Sequence, residues 1–98
     1  MRSKRIAGKQ AQEWGIATEC VPDGELEKAT DKLVDELRTF SPLAQRTAKK
    51  LLNDTEDSTL AIAIELEGHC YSRLRQSADF KEGVEAFNAK RAANFTGL

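Results

Sequence analysis

The side chains able to do chemistry are few. His69 is the only histidine, and Glu65 stands four residues before it, on the same face if the segment is helical. A metal site would need a third ligand, and neither Cys20 nor Cys70 supplies one by spacing, so the pair reads as a hydrogen-bonded couple on a helix surface. Cys70 follows His69 directly, but adjacent helical residues point about 100° apart, which argues against a Cys–His dyad. Glu65 and Glu67 diverge on a helix in the same way and read as solvated carboxylates rather than an acid–base pair. The sequence holds no GxSxG, no phosphate-binding GxxxxGK[ST] and no GxGxxG. Cys20 reads as a small buried hydrophobe, and Trp14 and Tyr71 as packing anchors. From these residues we assign no catalytic residue and no metal ligand.

Composition narrows the class further. The chain has 98 residues, which is one small domain or a piece of a larger one. Lys plus Arg is 15 and Asp plus Glu is 16, for a net charge of −1. A binder of nucleic acid or of an anionic membrane needs a surplus of cations, so neither partner is expected. The apolar run Leu60–Leu66 contains Glu65 and falls far short of the roughly 20 residues of a membrane span. The basic start Met1–Arg5 is followed by no apolar core of a secretory signal. Two cysteines without a CxxC suggest no disulfide scaffold, and a cytoplasmic location is expected.

The elements that must position these residues are helical. Met1–Arg5 reads as a frayed or truncated start and Ile6–Trp14 as a short helix that Gly15 stops in the left-handed conformation. Ile16–Val21 is extended at best, and Pro22–Asp23–Gly24 is turn chemistry. Asp23 is the expected N-cap of the first main helix, with the stripe Leu26, Ala29, Leu33, Leu37, Phe40. Ser41–Pro42 restarts the chain as a second helix burying Leu43, Ala44, Ala48, Leu51 and Leu52 and ending at Asn53–Asp54. Asp57 or Ser58 is expected to cap a third helix reaching about Arg75. Its apolar positions (Leu60, Ala61, Ala63, Ile64, Cys70, Tyr71, Leu74) cover more than one face, which calls for two neighbours or another chain. Asp79 is expected to cap a fourth helix, in a capping box with Glu82, with Phe80, Val84 and Phe87 as its stripe. Gly83 would fall in its first turn, and the tail Ala92–Leu98 is expected to dock loosely. The fold class is all-α: a small bundle of about four main helices with a short N-terminal helix.

The stretch Asp79, Glu82, Gly83, Ala86, Phe87, Lys90, Arg91 resembles the C-terminal signature D-x-x-E-G-x-x-A-F-x-x-K-R of the enoyl-CoA hydratase/isomerase (crotonase) family. Phe95 and Gly97 fit the aromatic and the small residue that follow it. Upstream, Arg5–Pro22 is similar to the family's passage G-R-x-I-x-A-x-E-A-x-x-x-G-L-V-x-x-V-V-P, with Ala11, Gly15, Val21 and Pro22 in place. Lys49 fits the lysine after S-P-x-A, and Glu67 falls at the family's distance before Asp79. Ala92 and Ala93 depart from it where a proline often follows K-R, and Trp14 is bulky for its position.

The resemblance implies a C-terminal helical domain over residues 1–98, an oligomerisation and lid piece, with the catalytic N-terminal spiral domain absent and Met1 an added start. It implies acyl-CoA lyase or isomerase chemistry in the intact protein: addition of water across a 2-enoyl-CoA double bond, or its isomerisation. The catalytic carboxylates and the oxyanion-hole N–H groups would lie in the absent spiral domain, so the chain alone is not expected to catalyse. Phe87 and Lys90 match positions beside bound coenzyme A. Phe87 would lie against pantetheine or adenine unless it is a core anchor, and Lys90 would face phosphate from the same helix face. Arg91 is expected in a salt bridge near a helix C-terminus. No cofactor is implied, acyl-CoA being substrate; the implied partners are the protein's own N-terminal domain and sister subunits in a trimer or hexamer. The alternative is a free-standing helical module that binds a partner helix in its apolar groove.

Overall fold

The computed structural model describes residues 3–98, so Met1 and Arg2 of the expected frayed start lie outside the described residues. Among those described every element is helical: α1 (Gly8–Glu13), a 3-10 turn (Asp23–Glu25), α2 (Leu26–Arg38), α3 (Pro42–Thr55), α4 (Leu60–Leu74) and α5 (Ala78–Asn88). This is the all-α class expected. The chain divides into two compact units, Met1–Val34 and Asp35–Leu98, with the boundary inside α2.

In the first unit α1 is shorter than the pattern suggested, because Ala7 at its N-cap offers no side-chain acceptor. Its end is as expected. Gly15 takes φ 71°, Ile16 N–H donates to the Ala11 carbonyl at 2.8 Å and Gly15 N–H to that of Gln12 at 2.9 Å, a Schellman stop. The segment after it forms no strand. Thr18, Glu19 and Val21 lie along Leu26, Ala29 and Leu33 of α2. Cys20 is exposed rather than buried. Its Sγ passes so close to Gly8 that a Cβ there would stand 2.9 Å away, so Gly8 makes room for the crossing.

In the second unit α3 packs on α4. Ser41 caps α3 as expected, its hydroxyl accepting from Ala44 N–H at 3.1 Å, with Pro42 at the first helical position. α3 runs on to Thr55, whose hydroxyl bonds back to the Leu51 carbonyl. Leu43, Ala44 and Leu51 are half-buried, but Ala48 is exposed and Leu52 is 71% exposed, so the buried side is narrower than expected. α4 is capped by Thr59, not Asp57 or Ser58; the Ser58 hydroxyl is turned back onto the Thr55 carbonyl. Ala63, Cys70 and Leu74 form its covered side. Leu60, Ile62, Ile64, Leu66 and Tyr71 stay exposed, which leaves the wide apolar surface that the sequence indicated.

α5 is capped by Ser77, whose hydroxyl accepts from Phe80 N–H at 3.1 Å. Asp79 therefore sits inside the helix, and Asp79–Glu82 form no capping box. Gly83 moves from the first turn to the middle of α5, under the Phe95 ring. A Cβ at Gly83 would meet Phe95 Cε1 at 3.5 Å, an ordinary contact. Gly83→Ala is therefore expected to stabilise this unit by roughly 0.5–1 kcal/mol, read as a raised urea midpoint at constant slope.

Candidate functional site

The second unit carries an open groove of about 400 Å³. Its walls are Tyr71 and Leu74 of α4, Phe80, Val84 and Phe87 of α5, and Phe95 from the tail. Arg75, at the C-cap of α4, lies with its Cζ 5.9 Å from the ring centres of both Tyr71 on α4 and Phe80 on α5. Its aromatic walls and sparse polar lining give the groove an apolar surface.

Phe87 is 84% exposed, so it is not the core anchor of α5. That place belongs to Ala86, 2% exposed. Lys90 lies beyond the end of α5, so helical spacing does not put it on one face with Phe87, contrary to expectation. It has φ 53°, while Arg91 N–H donates to the Ala86 carbonyl at 3.0 Å and Lys90 N–H to that of Phe87 at 3.2 Å. This is the same Schellman stop that Gly15 makes after α1, built with lysine in the left-handed position that favours glycine.

The remaining polar groups of α5 hold the tail. Asp79 is 3% exposed. Its carboxylate accepts from the Ser41 hydroxyl, from Thr96 N–H at 2.8 Å and from Gly97 N–H at 3.0 Å, while its own N–H donates to the Leu98 carbonyl at 3.0 Å. Ser41 thus serves α3 as a cap and α5 as a donor. Burial pushes the Asp79 carboxyl up, but the bonds from Ser41, Thr96 and Gly97 more than reverse this and hold it below its ordinary value.

Glu82, one turn on, is gripped by both Arg91 guanidinium nitrogens at 2.6 and 2.9 Å and accepts Asn94 N–H at 2.7 Å. The Arg91 bond, then the Asn94 bond, bring its carboxyl from 4.5 to about 2. Its folded value is the depressed one, so its contribution to stability is whole above about pH 4.5 and fades as pH falls towards 2. Arg91 is therefore in the salt bridge expected of it, and the tail is tied by its backbone instead of docking loosely. The signals were weak: main-chain N–H donors leave no mark in a sequence.

The other sequence candidates stay apart from the groove. His69 Nε2 and Glu65 Oε1 lie 3.9 Å apart on the exposed face of α4. Cys20 and Cys70 are free thiols. Among the described residues no group of His, Cys, Asp and Glu converges as a metal site, and no helix is long and apolar enough to cross a membrane.

Comparison with known proteins places this architecture. The chain is 37% identical over 94 residues to the 1,2-epoxyphenylacetyl-CoA isomerase of Escherichia coli K12, covering 95% of this chain and 36% of that protein. It is 31% identical over 98 residues to the 2,3-dehydroadipyl-CoA hydratase of the same organism, covering 99% of this chain and 38% of that one. The chain thus spans little more than a third of these relatives. A crystal structure of enoyl-CoA hydratase from Bacillus anthracis superposes with a TM-score of 0.91 at 26% identity, over 97% of this chain and 37% of that one. The sequence model for Enoyl-CoA hydratase/isomerase matches residues 1–98, so the chain belongs to the enoyl-CoA hydratase/isomerase family.

Proposed function

We propose that this helical piece serves an acyl-CoA hydratase or isomerase as the part that assembles subunits into a trimer and closes the acyl-CoA pocket. The carboxylates and oxyanion donors of the reaction belong, in this reading, to an N-terminal domain outside this chain, and the cytoplasm is its compartment. Family membership supports the substrate class. The outer face of α4, with Leu60 76% and Ile64 59% exposed, supports an assembly role, since apolar side chains so displayed gain by burial against another subunit.

Phe87 and Lys90 are the residues we assign to coenzyme A: the ring against pantetheine or adenine, the ammonium to phosphate oxygens. The observation that carries this is Lys90 itself. The left-handed conformation costs a lysine about 1 kcal/mol that glycine would be spared, so a side chain kept there points to use of its charge.

A titration of the chain with coenzyme A, followed by amide and aromatic NMR shifts, tests the assignment. Shifts are expected at Phe87 and Lys90. Lys90→Gly is expected to weaken binding roughly five-fold while raising stability by about 0.5–1 kcal/mol, opposite signs that a purely structural role would not give. Unmoved resonances at both positions, or a glycine variant that binds as well, would remove these residues from the ligand site.

A further inference from the structure

The segment that follows α5 is held in an unusual way. Asn94, Thr96 and Leu98 are exposed, and only Ala93, Phe95 and Gly97 are half-covered, so little apolar area fastens it. Its hold is polar and concentrated on two carboxylates one helical turn apart on α5. Asn94 N–H reaches Glu82, Thr96 and Gly97 N–H reach Asp79, and Leu98 accepts from Asp79 N–H. Arg46 of α3 adds a bond to the Gly97 carbonyl at 3.3 Å. Between the two latches the chain carries Phe95, and its ring is one wall of the aromatic groove, over Gly83. The backbone just before it, at Lys90, is in the left-handed conformation, which turns the strand of tail back along α5.

We propose that residues 92–98 are a strap that opens and closes the groove as one piece, swinging about the turn at Lys90–Arg91 and latched by Asp79 and Glu82. When the strap lifts, Phe95 leaves Gly83 and the groove between Phe80, Val84 and Phe87 widens. A segment held by a few bonds to fixed acceptors, with little buried area, opens below the free energy of global unfolding, and it opens cooperatively because Phe95 and the turn join the latches. This holds whether or not Phe87 and Lys90 meet coenzyme A, since it rests on the tail's own bonds.

Native-state amide exchange by NMR on the whole chain, at increasing urea below the transition, tests it. The amides of Asn94, Thr96 and Gly97 are expected to share one opening event, more frequent and less urea-dependent than that of Ala63 in α4. Asp79→Asn keeps the shape of the side chain and removes its charge. It is expected to speed exchange at Thr96 and Gly97 roughly ten-fold, and at Asn94, which Asp79 does not touch, by the same factor. It is also expected to raise the fluorescence of added 1-anilinonaphthalene-8-sulfonate, through the widened groove. Glu82→Gln is the reciprocal variant and should speed Thr96 and Gly97, which lose no bond of their own. The proposal is overturned if Asn94 is untouched by Asp79→Asn and Thr96 and Gly97 by Glu82→Gln, if the tail amides open only together with Ala63, or if dye fluorescence stays at the level of the unsubstituted chain.

Discussion

Ala86→Leu is expected to lower the stability of the second unit by about 2 kcal/mol, the largest single effect among the substitutions considered. Ala86 is the one hydrophobic residue among those described that is buried, at 2% exposed. It sits on α5 between the Asp79 and Arg91 attachments, and its carbonyl receives the Arg91 N–H of the helix stop. Three added heavy atoms have no groove to enter there, so α5 must shift away from its neighbours and the stop loses its geometry. A urea melt followed by circular dichroism reads the change as a lower midpoint. An unchanged midpoint would mean that α5 can shift without loss, and that the unit has no tight centre at all.

Gly97→Ala is expected to cost roughly 1–2 kcal/mol, for two reasons that add. Gly97 has φ 81°, in the left-handed region that a side chain disfavours. A Cβ there would also stand 3.2 Å from Pro42 Cγ and 3.7 Å from Arg46 Nη2. The proline ring is fixed at the start of α3 and cannot yield, whereas the arginine can swing away. The same alanine substitution at Gly83 meets only an ordinary contact inside a helix and is expected to act in the opposite direction. Melting the two variants side by side separates backbone strain from lost flexibility; equal signs would refute this reading of the left-handed turn.

The helices themselves were legible in the sequence, because periodicity, Pro42 after Ser41, and Gly15 are local signals that local geometry obeys. The caps were less so. Asp79 and Ser77 are both good N-caps two positions apart, and propensity alone does not choose between them. What decides is a distant partner: Asp79 is drawn into the helix because Ser41, Thr96 and Gly97 surround its carboxylate. Burial was the weakest inference. The stripes of α2 and α3 exist as sequence patterns, yet Leu33, Leu37, Phe40 and Leu52 remain exposed, since an apolar stripe states a demand for cover and not what meets it. At the candidate site, Phe87 and Lys90 are assigned through the family signature, which does not carry their geometry. The spacing of three suggested a shared helix face, and the chain leaves the helix before Lys90.

The grip on the tail is made chiefly by peptide groups, with the Thr96 hydroxyl adding a bond to Asp79 at 3.5 Å. A hold of that kind is blind to much of the alphabet: Asn94 contributes an amide that any residue but proline could offer and Leu98 a carbonyl that every residue has, and the side chains of these two are free to drift or to acquire other duties. Besides Thr96, two places in the last stretch are read by identity. One asks for a flat ring to lie over Gly83, the other for the absence of a side chain beside Pro42.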